Sequence, residues 1–236
     1  MQHVERHLVD THLWVAAAAA GLELFSSHAL GLPLLMAPAA LVAASTLLIY
    51  RADGWIDKDR PSRGVLPVVL ALGVFAWSWT LAPDAVRWLV GFGALPCLVY
   101  GWRWRGRRCL RELPGIKPFF VSGALIVSTI GIPCLWSTQG VDPVRLNILA
   151  GMLFALLMGN VTLFDLRDQG ADAGRGIVTV PVVLGANKTR YGIAICSVLL
   201  GLAPLLTMQC VFSAQIHHCF TMAFVGTAIC AVSLVP

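Results

Sequence analysis

The chain has 236 residues, of which 58% are hydrophobic and only 12% are charged, and its mean hydropathy is +0.78. Soluble domains carry about 25% charged residues, so this composition excludes an ordinary soluble domain. The net charge of +5 is typical of basic loops that face anionic lipid, and we expect no nucleic-acid partner. Apolar runs such as 32–50 and 146–164 are long and uninterrupted, which suits helices rather than barrel strands. We therefore predict one domain over 1–236, an all-α polytopic membrane helical bundle.

The apolar runs predict eight membrane spans, taken here in chain order. Their expected bounds are 10–28, 31–50, 64–82, 85–102, 118–137, 144–164, 187–208 and 215–235. The links between them are of two kinds. Four are short and nearly uncharged, at 29–30, 83–84, 138–143 and 209–214. Three are longer and rich in charge, at 51–63, 103–117 and 165–186.

The basic residues predict the orientation of the chain. Of the 17 Lys and Arg residues, only Arg87 and Arg145 belong to the short links and their borders. The other 15 lie in the N-terminal region, in the three long links or at the start of the seventh span. Basic residues are enriched on the cytoplasmic side of membrane proteins. We therefore expect a multi-pass protein of a bacterial inner membrane, with its N-terminus and its long links in the cytoplasm.

Two clusters of aspartates lie on this predicted cytoplasmic side. Asp165, Asp168 and Asp172 share one helical face if the sixth span continues as a helix, and Asp53 and Asp57 are spaced one helical turn apart. Like charges gathered on one face repel each other unless a cation lies between them. Carboxylate oxygens without nearby Cys or His favour a hard ion such as Mg²⁺. The alternative interpretation is that these are solvated loop charges.

Basic residues close to the two acidic clusters in the sequence indicate a diphosphate-binding site. Many Arg and Lys residues lie in the same long links. Metal ions could bridge carboxylate and phosphate oxygens while basic side chains bind the remaining oxygens. The surrounding apolar helices could then hold a long hydrocarbon away from water. Glu23 is the one acid deep inside a predicted span, and its cost in lipid predicts that it faces the bundle interior.

The residues after the second cluster carry a family resemblance. They continue with Gly176, Thr179, Pro181, Val182 and Gly185. Together with the three aspartates, this stretch resembles the second aspartate motif of the UbiA superfamily of intramembrane prenyltransferases, which is D-x-x-D-x-x-x-D followed by G-x-x-T-x-P-V-x-x-G. The first cluster follows the second span, where that family has its first motif. The stretch 100–117 resembles the basic connector of the family.

The resemblance implies helices, usually nine, around a lipid-accessible central cavity. It also implies Mg²⁺-dependent transfer of a prenyl group from a prenyl diphosphate to a lipophilic, often aromatic, acceptor, with no obligate protein partner. In that reading Asp53 and Asp57 bind one Mg²⁺ and the three later aspartates bind another, and all five are the candidate catalytic residues. The candidate substrate-binding residues are Arg60, Tyr100, Lys117, Asn160 and Arg175.

Departures from the family pattern keep other functions open. Ile49 and Tyr50 stand where the first motif has Asn and Asp, and the chain shows eight spans rather than nine. A membrane terpene cyclase of the same superfamily is one alternative. A non-catalytic family member, acting as a transporter or assembly factor, is another. A CDP-alcohol phosphotransferase is disfavoured, because Gln169 follows Asp168 and Arg175 is out of register with that motif.

Overall fold

The computed structural model describes residues 12–56, 65–101, 115–174, 176–207 and 212–233, together with Leu110 and Leu113. Within these residues every regular element is helical and no strand occurs. The helices are α1 (Leu13–Ala29), α2 (Met36–Ile56), α3 (Leu66–Leu81), α4 (Asp84–Gly101), α5 (Ile116–Trp136), α6 (Pro143–Gly174), the short α7 (Val180–Leu184), α8 (Ala186–Thr207) and α9 (Ala214–Ser233). The predicted all-α fold class is confirmed.

Each of the eight predicted spans falls on one of the long helices. In the described part of the chain, three stretches are long and apolar enough to cross a membrane: Ile116–Trp136, Pro143–Gly170 and Ala214–Ser233. Helix α3 is apolar as well but has only 16 residues. These helices are compatible with a membrane protein, while the count of eight spans stays a prediction.

Two helices continue beyond the predicted ends of their spans. Helix α2 runs to Ile56, whereas its span was expected to end at 50, and α6 runs to Gly174 instead of ending at 164. Hydropathy marks where apolar side chains stop, but the backbone hydrogen bonds of a helix do not depend on that boundary. Asp53 and the three later aspartates are therefore helical residues rather than loop residues.

The helices form two compact units. The first lies within Met1–Trp102 and Ala124–Val141, and the second within Arg103–Gly123 and Asp142–Pro236. The core of the first unit is built mostly from small and branched side chains, namely Ala19, Leu41, Val42, Ala82, Val86 and Ile132. Small residues let helices approach closely, as in membrane bundles. The prediction of one domain stays a prediction.

The link between α3 and α4 is closed by an arginine. The Arg87 guanidinium pairs with Asp84, with 2.9 Å between Nη1 and Oδ1. Its Nε donates to the carbonyl oxygen of Trp79 at 3.2 Å, and its Nη2 donates to that of Thr80 at 3.3 Å. These carbonyls belong to the last turn of α3, and carbonyl oxygens in the last turn of a helix have no donor within that helix. Arg87 therefore caps α3 from the helix that follows.

The link before α6 has a related but looser arrangement. Asp142 accepts a hydrogen bond from the backbone N–H of Val144 at 2.9 Å, which caps the start of the helix. Arg145 lies 4.0 Å from the same carboxylate, again three residues further along the chain. Each of these two short links thus contains one Asp and one Arg in contact.

Candidate functional site

The second unit places three aspartates along one face of α6. Asp165 is completely buried and Asp172 is nearly so, whereas the Asp168 side chain is 36% exposed. Spacings of three and seven residues return to the same face of a helix, so the extension of α6 to Gly174 brings the carboxylates into one row. Asp168 and Asp172 both repel Asp165 electrostatically. The row thus gathers three carboxylates on one helical face, two of them buried.

Asp165 is paired with a lysine from another helix. The Nζ of Lys117 lies 2.5 Å from Oδ1 of Asp165, and the lysine side chain is 33% exposed. Lys117 is the second residue of α5, which follows Gly115 at a φ of 76°. A residue with a side chain rarely adopts that φ, so the glycine sets how the chain enters the helix. Within the described residues no donor reaches the other oxygen, Oδ2, by a hydrogen bond.

Asp168 is bound by its neighbour in sequence. Arg167 donates from Nε to Oδ1 at 2.9 Å and from Nη2 to Oδ2 at 3.1 Å, a two-point contact with both carboxylate oxygens. The Arg167 guanidinium also lies 5.3 Å from the ring centre of Phe164. Such a planar, two-point contact is geometrically specific. Asp168 thus has a cation at the exposed edge of the row, and Asp165 has one at its buried end.

Asp172 and Lys117 both lie at helix ends whose backbone dipole disfavours their charge. Asp172 lies in the last turn of α6, where the backbone dipole already carries partial negative charge. Lys117 lies in the first turn of α5, at the positive end of that helix. Each charge is at the wrong end of its helix, which costs about 0.3–1 kcal/mol for a group near the surface. Departures of this kind from local rules concentrate at functional sites.

The backbone conformation explains why glycine occurs at two positions of the motif, Gly176 and Gly185. The backbone N–H of Gly176 donates to Ala173 at 3.1 Å, and that of Ile177 donates to Asp172 at 2.9 Å, which is a Schellman motif at the end of α6. Gly176 has a φ of 71° and Gly185 a φ of 83°, both in the region that favours glycine. The motif therefore ends the aspartate helix and turns the chain into α7.

The start of α7 is tied back to the aspartate helix. Gln169 donates from Nε2 to the carbonyl oxygen of Pro181 at 2.8 Å, across 12 residues of sequence. Thr179, at the N-terminus of α7, is buried. These contacts fix the backbone after the aspartates against the helix that carries them, so the motif residues on either side of the turn belong to one folded segment.

The other predicted site residues are placed as follows. Asn160 is half-buried on α6, and its Nδ2 donates to the carbonyl oxygen of Leu156 at 3.1 Å, so this donor is used within its own helix. Asp53, in the last turns of α2, and Tyr100, near the end of α4, are half-buried residues of the first unit. Three predicted residues lie outside the described residues, namely Asp57, Arg60 and Arg175.

The donor chemistry of the α6 row suits a hard cation. Its oxygens are all carboxylates, and one buried oxygen of Asp165 lacks a hydrogen-bond donor among the described residues. Among the described residues, no group of three or more His, Cys, Asp or Glu side chains is arranged to hold a metal ion. Mg²⁺ usually takes only one or two carboxylates and completes its shell with water and substrate phosphate. The described residues thus fit a partial site of that kind.

Two buried charged residues stand outside the predicted site. Glu23 on α1 is buried as predicted, and its Oε1 accepts a hydrogen bond from Ser27 Oγ at 3.0 Å. Arg51 on α2, counted as a loop charge from the sequence, is 1% exposed. Its position at the predicted end of a span is the only signal that could have indicated burial. Both residues belong to the first unit.

Comparison with known proteins gives no assignment. No family model, no curated protein and no solved structure matches the chain. The UbiA resemblance therefore rests on the motif residues of this sequence, and the site can be interpreted only from its own geometry. That geometry consists of a buried carboxylate with a lysine partner, two further acids on the same helical face and a glycine-dependent turn after them.

Proposed function

We propose that the protein is a UbiA-type, Mg²⁺-dependent intramembrane prenyltransferase, which moves a prenyl group from a prenyl diphosphate to a lipophilic, aromatic acceptor. The observation that carries the proposal is the fully buried carboxylate of Asp165, paired with Lys117 and flanked on its helical face by Asp168 and Asp172. A structural role alone gives little reason to bury a carboxylate in a row of like charges, because its desolvation is costly. A site that binds cations and diphosphate gives such a reason.

In this proposal the residues of α6 and α5 divide the binding between them. Asp165, Asp168 and Asp172 would hold the metal, which supplies Lewis-acid stabilisation of the leaving diphosphate. Lys117 supplies a positive charge next to the same row, and Arg167 already lies beside Asp168 at its exposed edge. The bond that breaks joins C1 of the prenyl group to a diphosphate oxygen, and its electron pair leaves with the diphosphate. The acceptor then bonds to C1 and loses a proton.

The remaining predicted contacts complete the proposal. Asp53 and Asp57 would hold a second Mg²⁺, as the family resemblance implies. Arg60 and Arg175 would bind diphosphate oxygens, and Tyr100 and Asn160 would contact substrate. The apolar helices would hold the hydrocarbon and keep water from the electron-poor carbon. The localisation that accompanies this function is the inner membrane of a bacterium, with the aspartates near its cytoplasmic surface.

The decisive experiment removes one carboxylate and measures turnover. Purified protein is incubated with farnesyl, geranylgeranyl and longer diphosphates and with a bacterial membrane lipid extract that supplies the acceptor, with and without Mg²⁺, and pyrophosphate release is measured. Asp168→Asn should abolish nearly all release, because it removes a charged oxygen ligand while keeping the size of the side chain. Asp84→Asn is the matched control, since Asp84 is an exposed aspartate in a short link. Unchanged turnover in Asp168→Asn would refute the catalytic role proposed for this site, whereas a wild-type protein that releases no pyrophosphate would favour a non-catalytic protein.

A terpene cyclase is the second candidate, and the altered first motif favours it. Ile49 and Tyr50 stand where that motif has Asn and Asp, so the first cluster has one acid fewer than the family motif. A cyclase would capture the allyl cation within the same hydrocarbon chain. Analysis of the products formed from a prenyl diphosphate alone distinguishes the two. A cyclic hydrocarbon formed without any acceptor indicates the cyclase, and a prenylated product formed only when an acceptor is added indicates the transferase.

A further inference from the structure

The carboxylate of Asp165 depends on Lys117 for its charge balance. Asp165 is fully buried, and Lys117 is the cation that pairs with it among the described residues. Asp168 and Asp172 add repulsion from the same helical face. Removing the cation from a buried ion pair is strongly unfavourable, because an uncompensated charge is left behind. Lys117 can therefore leave Asp165 only when another cation takes its place or the carboxylate takes up a proton.

Lys117 is nevertheless well suited to leave. One third of its side chain is exposed, and the ammonium is carried by a flexible four-carbon chain. Its position in the first turn of α5 is unfavourable for a cation, so its own helix does not retain it there. Arg167 is held differently, because its planar guanidinium contacts both oxygens of Asp168. The buried pair of Lys117 and Asp165 is therefore the one suited to exchange, and the exposed pair of Arg167 and Asp168 is the more specific contact.

We propose that Lys117 is an exchangeable counter-ion, which neutralises Asp165 in the unloaded protein and is displaced by a divalent cation, so that its ammonium then binds the diphosphate. This inference rests on the proposed function and specifies how metal and diphosphate binding are coupled at that site. The exchange keeps Asp165 neutralised throughout, because one cation arrives as the other leaves. The released ammonium carries the charge that a diphosphate oxygen needs as a partner.

The exchange makes the two ligands cooperative. Metal binding frees the lysine, and an anion that binds the freed lysine keeps it away from Asp165. By linkage, the anion must then strengthen metal binding by the same factor by which the metal strengthens anion binding. Lys117 would carry this coupling, so a variant without the ammonium should bind metal well but lose the effect of the anion.

Lysine labelling of the full-length protein in detergent tests the displacement directly. The chain has only three lysines, Lys58, Lys117 and Lys188, which makes mass-spectrometric assignment simple. Lys188 is exposed on α8 and serves as the internal control. Without metal, an amine reagent should modify Lys117 more slowly than Lys188. Adding Mg²⁺ should raise the Lys117 rate several-fold without changing that of Lys188, and adding inorganic pyrophosphate with Mg²⁺ should lower it again. A Lys117 rate that Mg²⁺ leaves unchanged would overturn the exchange.

Binding of Mn²⁺, followed by electron paramagnetic resonance, separates this inference from the proposed function. Lys117→Met should bind Mn²⁺ at least about tenfold more tightly than the wild type, because a charged hydrogen-bonded competitor is gone. It should also lose the gain that pyrophosphate gives. Lys117→Arg keeps the charge and should bind Mn²⁺ no more tightly than the wild type, which gives a second variant if Lys117→Met does not fold.

The possible results lead to different conclusions. If Asp165→Asn weakens Mn²⁺ binding while neither Lys117 variant changes it, the metal site stands and the exchange is wrong. If Asp165→Asn and Asp168→Asn both leave Mn²⁺ binding unchanged, the metal site of the proposed function is wrong and the exchange falls with it. Tighter Mn²⁺ binding in Lys117→Met, with unchanged binding in Lys117→Arg, supports the exchange.

Discussion

Glu23 in the first unit and Asp165 in the second are both almost completely buried, yet they are satisfied in different ways. Glu23 accepts a hydrogen bond from Ser27, one turn along its own helix, and makes no ion pair within the described residues. Asp165 has a cation from a distant part of the sequence. A hydroxyl cannot balance a full negative charge, whereas an ammonium can. The difference indicates that the Asp165 region is built to hold charge and that the Glu23 region is built to avoid it.

The largest effect should come from removing the cation of the charged region. Lys117→Met leaves Asp165 buried without its cation, and removing one partner of a buried ion pair typically lowers the free energy of unfolding by about 3–5 kcal/mol. Because Lys117 is partly exposed, we expect a loss at the lower end of this range, about 3 kcal/mol. Thermal or denaturant unfolding in detergent measures the change. The double variant Lys117→Met, Asp165→Asn should recover most of the stability, because neither charge is left. Equal losses in the single and double variants would show that the pair does not balance charge.

A smaller effect should follow from neutralising the other buried acid. Glu23→Gln keeps the size of the side chain and can still accept the hydrogen bond from Ser27, so stability should change by no more than about 1 kcal/mol. The same unfolding measurement applies, with Asp165→Asn as the matched variant, since it leaves Lys117 without its carboxylate. If Glu23→Gln were the more damaging of the two, Glu23 would need a negative charge and the contrast between the regions would disappear.

The smallest effect should come from an exposed ion pair. Asp84→Asn removes the charge partner of Arg87, but the Asp84 side chain is 85% exposed and Arg87 keeps its two carbonyl contacts. Pairs of this kind contribute about 0–1 kcal/mol, and salt screens them. Unfolding at low and high salt measures both the size of the effect and the screening. A loss as large as that of Lys117→Met would contradict the view that burial, and not pairing itself, makes Asp165 special.

Much of the fold follows from the apolar runs alone. Each predicted span lies on an observed helix because about 20 consecutive apolar residues leave few other structures possible. The ends of α2 and α6 were predicted too early, since Arg51 and Asp165 lower the hydropathy without breaking the helix. Gly176 was noted only as a residue of the motif, and the backbone conformation after α6 explains why a glycine is needed there.

The candidate site was less predictable than the fold. The spacing of the α6 aspartates placed them on one face, which the helix extension bears out. The partner of Asp165 was not readable, because 48 residues separate it from Lys117 and the charge pattern offers many basic residues near each acid. Lys117 was assigned to diphosphate, which stays a prediction, and the structure also pairs it with a carboxylate. Such contacts depend on which helices pack together, and hydrophobic periodicity does not encode that choice.

The paired charges in the two short links bear on how the protein is inserted into its membrane. In the predicted orientation, the hairpin of α3 and α4 carries only Asp84 and Arg87 across the bilayer, and the hairpin of α5 and α6 carries Asp142 and Arg145. Moving one charge through a potential of 100 mV requires about 2.3 kcal/mol of electrical work. Each hairpin crosses with equal numbers of opposite charges, so this work cancels. Translocation of these segments should then be insensitive to the proton-motive force, and Asp84→Asn would make the first hairpin depend on it.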